Sequence, residues 1–192
     1  MSDDDLTPLE TSRLRASERS CAFFISRGST DMRVAEIAAA AGISERTFYR
    51  YFPVKAESVS PLFDWTTRRF DQAVVRSDPD LAVSEVLRAA FRASLLDEVA
   101  ERTRALFPLV FGDSEMWSVF LRKVHDGERS LAPVLATRLG LSADAIAARA
   151  AAAAVASSTR IALEAMVTAG ADPEDVYMQT IDAFASEPIR RS

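Results

Sequence analysis

The sequence of 192 residues contains a single cysteine and a single histidine. Cys21 on its own cannot form an intramolecular disulfide bond. One cysteine and one histidine also cannot supply the four ligands of a structural zinc site. We therefore expect neither disulfide bonds nor a metal site.

Long hydrophobic runs are also missing, and none reaches the ~18 residues that a membrane-spanning helix needs. Hydrophobic residues make up 48% of the chain and charged residues 27%, a composition typical of a globular domain. The first eight residues are acidic (Asp3, Asp4 and Asp5), whereas a secretory signal would be basic and then apolar. The sequence predicts a soluble protein of the cytoplasm with no membrane partner.

Signatures of catalysis are absent as well. The six glycines never fall close enough together to form GxGxxG or a P-loop, and no GxSxG motif occurs. The only histidine, His125, has no evident Cys or Ser partner. Because it stands next to Asp126, we expect it to be a surface histidine or one with a satisfied hydrogen bond, and not a ligand-binding residue. We predict a protein that is not an enzyme and needs no cofactor.

Charge is distributed unevenly along the chain. Residues 1–12 carry a net charge of −4, residues 13–55 a net charge of +4, and residues 56–192 a net charge of −5. A basic segment inside an acidic chain favours local contact with a polyanion such as nucleic acid. A chance fluctuation explains an excess of this size equally well.

Apolar residues recur at spacings of three and four, and glycines and prolines are few, so the chain is predicted to be all-helical, with nine helices. Pro61 predicts either a kink near Ser58 or a helix that starts at Ser60. Gly127 and Pro133 predict a break or bend in the seventh helix. The eighth helix is expected from Ser142 to about residue 168, and the ninth is expected to follow the Asp172-Pro173 pair.

Two short helices are predicted on either side of Ala41–Ser44, with Gly42 ending the first and Ser44 capping the second. This arrangement has the form of a helix-turn-helix, whose second helix enters a DNA major groove. Phe48 and Phe52 can anchor that helix, while its other positions carry hydrogen-bond donors suited to phosphates and base edges. These donors are Arg46, Thr47, Tyr49, Arg50 and Tyr51.

The same segment resembles the TetR family of bacterial transcriptional regulators. The resemblance rests on Val34–Ala38, Ala41–Ser44, Thr47–Pro53 and Lys55, and it covers about 50 residues closely. It implies a helix-turn-helix DNA-binding domain in residues 1–55. Residues 56–192 would then form a helical ligand-binding and dimerisation domain.

The resemblance also implies roles for individual residues. Ser44 and Thr47 would cap the recognition helix and touch phosphate, while Tyr49, Tyr51 and Lys55 would clamp the DNA backbone. Arg46 and Arg50 are the expected base readers. For Tyr49 and Tyr51, packing in the core is the alternative.

The chain departs from the family pattern at two places. Met32 and Arg33 stand where relatives usually have a small polar residue, so Arg33 is expected to replace that phosphate contact with a longer, cationic one. Arg46 stands at a position that is often Gly in relatives. The operator sequence therefore cannot be inferred from them.

The resemblance implies that the last two helices form a homodimer. Their residues suit close helix packing, because the eighth helix is rich in alanine and the ninth adds Tyr177, Ile181 and Phe184 at helical spacing. The alanines are Ala147, Ala148, Ala150–Ala154, Ala156 and Ala162. Helix propensity alone is the alternative explanation for them.

The resemblance further implies a pocket for a small-molecule effector, and the composition permits one without requiring it. Arg104 and Arg160 are the expected partners of an acidic ligand. The aromatic candidates are Phe91, Phe107, Phe111, Trp117 and Phe120, for which ordinary core packing is the alternative.

These observations predict a homodimeric, ligand-responsive repressor that releases a near-palindromic operator when it binds a small molecule. The alternative function is that of a DNA-bound adaptor or architectural protein controlled by a protein partner. A ligand-sized cavity would favour the repressor, and an exposed apolar patch would favour the adaptor.

Overall fold

The computed structural model describes residues 6–186, so the acidic residues 3–5 lie outside the described part of the chain. No strand occurs between residues 6 and 186, and the all-helical class is confirmed. Short 3-10 turns occur at Lys55–Val59 and Asp97–Val99. The α-helices are α1 (Pro8–Arg27), α2 (Val34–Ala41), α3 (Glu45–Tyr51), α4 (Ser60–Arg76), α5 (Val83–Leu95), α6 (Ala100–Gly112), α7 (Ser114–Arg138), α8 (Ile146–Ala169) and α9 (Pro173–Ala185).

The chain divides into two compact units. The first contains the described residues up to Thr66 together with Glu101–Lys123, and the second contains Thr67–Ala100 and the described residues from Val124 to 186. This division describes packing. The functional boundary expected after residue 55 stays a prediction.

The core of the first unit forms around α1, whose inner face buries Cys21 and Phe24 completely. The hydroxyl of Ser17, also buried, donates to the carbonyl of Ser58 at 2.6 Å and so fastens α1 to the turn before α4. Burial raises the pKa of the Cys21 thiol to about 12. Cys21 therefore acts as a small apolar core residue.

In the second unit, α8 and α9 pack side by side and α5 packs against α9. Phe91 of α5 stacks on Tyr177 of α9, with ring centroids 4.2 Å apart and both side chains fully buried. The expectation that Tyr177 serves a dimer face is therefore wrong, because its ring fills the core of its own protomer. Phe184 is 51% exposed on the same helix.

Prolines and glycines affect the helices in different ways. Helix α4 begins at Ser60 with Pro61 in its first turn, as one of the two alternatives predicted. Of the break or bend predicted in α7, the break is wrong, since the helix continues through Gly127 and Pro133, and the bend stays a prediction. Leu131 and Leu135 are buried on either side of Pro133, and a Cβ on Gly127 would lie 3.3 Å from Thr67 Cγ2. Gly127 thus serves close packing against α4.

Helix α8 begins four residues later than expected, at Ile146, because the carbonyl of Ser142 accepts the N–H of Ala145 in a turn that precedes it. By length and composition alone, α8 could cross a membrane. A single helix of this kind is weak evidence of a membrane span. Ala148, Ala152 and Leu163 of α8 are buried within the protomer, and 28% of its most apolar window is buried in all.

Candidate nucleic-acid interface

Two short helices, α2 and α3, are joined by a tight turn. Gly42 ends α2 with φ 73°, a left-handed conformation that glycine adopts without strain. The hydroxyl of Ser44 then accepts the backbone N–H of Thr47 at 3.2 Å and caps α3 as predicted. Three residues separate the two helices, which is the short connection typical of a helix-turn-helix.

The turn has a further support that the sequence analysis missed. A guanidinium nitrogen of Arg19, on α1, donates to the carbonyl of Ala41 at 3.2 Å. This carbonyl belongs to the last residue of α2, where helix carbonyls lack partners within the helix. Nothing in the local pattern around Arg19 signals this contact, because the two residues are 22 positions apart.

The inner face of α3 is fixed by two aromatic side chains. Phe48 and Phe52 are fully buried, and their rings meet edge to face with centroids 5.1 Å apart. A helix of seven residues is too short to be stable in isolation. Its position therefore comes from these two anchors, as the sequence predicted.

The outer face of α3 is exposed and carries the predicted donors. Arg46 and Arg50 are exposed, and Tyr49 is 51% exposed, so the alternative that Tyr49 packs in the core is wrong. Tyr51 is half-buried, and the Arg50 guanidinium carbon lies 5.4 Å from the centre of its ring. Thr47 accepts a hydrogen bond from the Ser44 hydroxyl at 3.1 Å. The face thus presents two arginines and a phenol to solvent.

Arg33 lies at the start of α2, with its side chain 85% exposed. Its backbone N–H donates to the carboxylate of Glu36 at 3.1 Å, and its side-chain Nε approaches the same carboxylate oxygen at 3.3 Å. These two contacts hold the pKa of Glu36 below its usual value. Arg33 is therefore a loosely tethered cation beside the turn.

Lys55 follows α3, with its side chain partly buried. Its Nζ donates to the carbonyl of Thr30, in the loop between α1 and α2, at 3.0 Å. All eight residues predicted to contact DNA belong to the first compact unit. Besides Lys55 they are Arg33, Ser44, Arg46, Thr47, Tyr49, Arg50 and Tyr51.

The residues predicted to bind a ligand do not all lie in one unit. An aromatic cluster in the first unit is formed on α6 and α7 by Phe107, Phe111, Trp117 and Phe120. The ring centroids of Phe107 and Phe120 are 4.9 Å apart, those of Phe120 and Trp117 are 5.0 Å apart, and those of Trp117 and Phe111 are 5.1 Å apart. Phe107 and Phe120 are buried, whereas Phe111 is 36% exposed.

The polar candidates differ in their contacts. Arg104 is exposed on α6, in the first unit. Arg160 lies in the second unit with Phe91, and its guanidinium donates to both carboxylate oxygens of Glu164 at 2.8 Å. His125 is a surface residue, as expected, and its Nδ1 lies 3.7 Å from the carboxylate of Glu128. Between residues 6 and 186, no group of three or more His, Cys, Asp or Glu side chains could hold a metal ion.

Comparison with known proteins supports the resemblance seen in the sequence. Residues 18–57 match the model of the "Bacterial regulatory proteins, tetR family". Solved structures of TetR-family transcriptional regulators match nearly the whole chain. The fold is that of the TetR family.

The TetR-type structures similar to this chain are distant in sequence. A regulator from Mesorhizobium loti is 19% identical, with a TM-score of 0.60 over 94% of this chain and 98% of that chain. FadR from Thermus thermophilus, a TetR-family repressor in complex with lauroyl-CoA, is 20% identical, with a TM-score of 0.60 over 94% and 96% of the two chains. No curated protein sequence matches the chain.

Proposed function

We propose that the chain is a homodimeric, ligand-responsive transcriptional repressor of the cytoplasm. In this proposal residues 1–55 bind DNA, and residues 56–192 bind an effector and dimerise. The observation that carries it is the exposed face of α3, where Arg46, Tyr49 and Arg50 stand outward on a helix fixed from behind by Phe48 and Phe52. The match of residues 18–57 to the tetR family supports the same proposal.

In a dimer, two copies of α3 would enter adjacent major grooves of a near-palindromic site, about 34 Å apart along B-DNA. Arg46 and Arg50 would read base edges, because the fork of an arginine matches the acceptors of guanine. Ser44, Thr47, Tyr49, Tyr51, Arg33 and Lys55 would hold the phosphate backbone. The net charge of +4 over residues 13–55 favours this approach to DNA.

A second copy of the chain is the proposed partner of α8 and α9. Some alanines of α8 are buried within the protomer, whereas others are left half-exposed or exposed, and Ala153 and Ala156 are among the half-exposed ones. Small side chains allow another helix to approach closely. In this proposal a symmetric four-helix interface would cover these alanines and also Phe184 of α9.

The aromatic cluster Phe107, Phe111, Trp117 and Phe120 is the proposed effector contact, with Arg104 as a partner for an acidic group. FadR of the same fold holds lauroyl-CoA, which supports a small-molecule effector for this chain. Trp117 is half-buried in the cluster, so a change in its fluorescence would report the binding of an effector there. A thermal-shift screen of metabolites, followed by release of bound DNA, would identify the effector.

The DNA-binding proposal is tested with a duplex that the protein itself selects from a random pool, and with an unrelated duplex. Arg46→Ala should reduce the discrimination between the two by ~1–3 kcal/mol. Lys55→Ala should weaken both equally and lower the slope of log affinity against log salt by about one. Arg129→Ala, which removes an exposed arginine outside the helix-turn-helix and outside the proposed effector site, is the matched control. The proposal fails if neither helix-turn-helix variant differs from this control.

A further inference from the structure

Helix α2 ends against a cation from another helix. A terminal guanidinium nitrogen of Arg19, on α1, donates to the carbonyl of Ala41, the last residue of α2, at 3.2 Å. The last carbonyls of a helix lack partners within it and form the negative end of the helix dipole, so a cation is favoured there. The same nitrogen would lie 2.9 Å from a Cβ at Gly42, the first residue of the turn. Arg19 therefore lies directly against the end of α2 and the start of the turn.

The backbone bonds of the turn itself reach back into α2. The N–H of Gly42 donates to the carbonyl of Ala39, and the N–H of Ile43 donates to the carbonyl of Ala38, each at 3.0 Å. These two bonds fix the turn to α2, but they do not join it to another helix. The bond from Arg19 does so, because it starts on α1.

The helix that carries Arg19 is a firm support for this bond. Ser17, Ser20 and Cys21 of α1 are fully buried. The hydroxyl of Ser17 also donates to the carbonyl of Ser58 at 2.6 Å. Because the residues around Arg19 are held in the core, its side chain reaches the turn from a fixed starting point.

The contacts that hold α3 differ in how strongly they define its direction. Phe48 and Phe52 fix its inner face in the core, but apolar contact is non-directional and defines the tilt of a seven-residue helix only weakly. The tilt also depends on the turn that joins α3 to α2. Because Arg46 and Arg50 are exposed on α3, a change in the turn would move both guanidinium groups together.

We propose that Arg19 is a positioning residue for base readout, which orients α3 so that Arg46 and Arg50 meet base edges correctly. The inference rests on the proposed function, in which these two arginines read the operator. A bidentate contact between arginine and guanine needs placement within about 0.5 Å, whereas attraction to phosphate tolerates larger shifts. Loss of the bond from Arg19 to α2 should therefore reduce sequence discrimination more than general affinity for DNA.

The substitution Arg19→Met tests the inference, because methionine removes the guanidinium and keeps an aliphatic stem. Affinity is measured at several salt concentrations for the selected and the unrelated duplex, and the ratio of the two affinities is the readout. This ratio should fall by about three- to tenfold, a partial loss of what one bidentate arginine contact supplies. An unchanged ratio overturns the inference.

Arg15→Met is the matched control, because it removes an exposed arginine from the same helix one turn earlier. It should leave the ratio of the two affinities unchanged. If Arg19 instead held a phosphate itself, Arg19→Met would weaken both duplexes equally and lower the slope of log affinity against log salt by about one. That result would overturn the inference as well.

Two measurements guard against an effect of misfolding. Circular dichroism and titration at stoichiometric concentrations give the folded, active fraction of each variant, to which the affinities are referred. Arg19→Lys keeps the charge, but its ammonium lacks the planar fork of arginine, so its ratio should lie between those of the wild type and Arg19→Met. A wild-type ratio in both Arg19 variants would contradict a positioning role.

A mutant cycle with the proposed base readers shows whether Arg19 acts through α3. In a chain that already carries Arg46→Ala and Arg50→Ala, Arg19→Met should change the ratio by less than about twofold. If it keeps its full effect there, the inference is overturned while the proposed function stands. If the unmodified protein binds no duplex at all, the proposed function and the inference both fail.

Discussion

Asp71, a partly buried carboxyl group in the second compact unit, destabilises the fold when it is charged, so removing its charge should stabilise the protein. Asp71, on α4, accepts a hydrogen bond from the hydroxyl of Ser130, on α7, at 2.8 Å. Burial raises the pKa of Asp71 from 3.8 to about 6, and the bond from Ser130 only partly offsets this. The substitution Asp71→Asn keeps an acceptor for Ser130 and cannot ionise.

The direction and size of the effect follow from proton linkage. The folded protein binds this proton more tightly than the unfolded chain does, so the contribution of Asp71 to stability is complete below about pH 4. It is lost as the pH rises through 6. A difference of about two pKa units corresponds to about 3 kcal/mol, and burying the asparagine amide offsets part of it. At pH 7.5, Asp71→Asn should therefore be more stable by about 1–3 kcal/mol, which raises Tm by roughly 3–10 °C in a chain of this size.

Thermal and urea unfolding at pH 4 and pH 7.5 measure this prediction. The advantage of Asp71→Asn should be large at pH 7.5 and close to zero at pH 4, where the wild-type carboxyl is protonated. Asp144→Asn removes an exposed carboxylate and serves as the control for net charge. Equal stability of Asp71→Asn and wild type at both pH values would refute the inference that burial of the charged Asp71 carboxylate destabilises the fold.

Two further predictions concern the turn of the helix-turn-helix and the proposed dimer. Gly42→Ala should destabilise the fold by about 1–2 kcal/mol, because the residue has φ 73° and its new Cβ would lie 2.9 Å from an Arg19 guanidinium nitrogen. Gly112→Ala is the control, because a Cβ at this position would meet open space and the residue has no positive φ. It should leave the free energy of unfolding unchanged or raise it in thermal unfolding. A similar loss of stability in both variants would contradict this reasoning. Phe184→Glu should shift the protein from dimer to monomer in sedimentation equilibrium, whereas Leu81→Glu, which charges an exposed loop leucine, should not. A dimer that persists in Phe184→Glu would exclude Phe184 from the interface.

The local chemistry of the chain predicted the helix-turn-helix well. A glycine at the end of α2, a serine before α3 and two phenylalanines four residues apart each act within one or two turns of helix, so the sequence carries their effect directly. Gly42, Ser44, Phe48 and Phe52 accordingly lie where they were expected.

Features that depend on contacts between residues far apart in the chain could not be predicted from local sequence patterns. The aromatic ring of Tyr177 has the spacing of a surface stripe on α9, yet Phe91 of α5, 86 positions earlier, draws it into the core. Helix α7 passes through Pro133 because the leucines around the proline are buried, which outweighs the lost hydrogen bond. A lysine after α3 gives no local sign of its partner, and the bond from Lys55 to the carbonyl of Thr30, 25 positions earlier, comes from the fold alone.

Different residues of α3 stabilise the helix and form its proposed base contacts, and this separation has a consequence for the specificity of DNA binding. Its stability comes from Phe48, Phe52 and the Ser44 cap, while Arg46 and Arg50 make no contribution to the core. Exposed helix positions usually tolerate substitution within about 0.5 kcal/mol, so the proposed base readers can change without loss of the fold. The proposed phosphate contact Lys55 has less freedom, because its ammonium is already bonded to the carbonyl of Thr30. Operator sequence should therefore be easier to alter in this protein than its affinity for the DNA backbone.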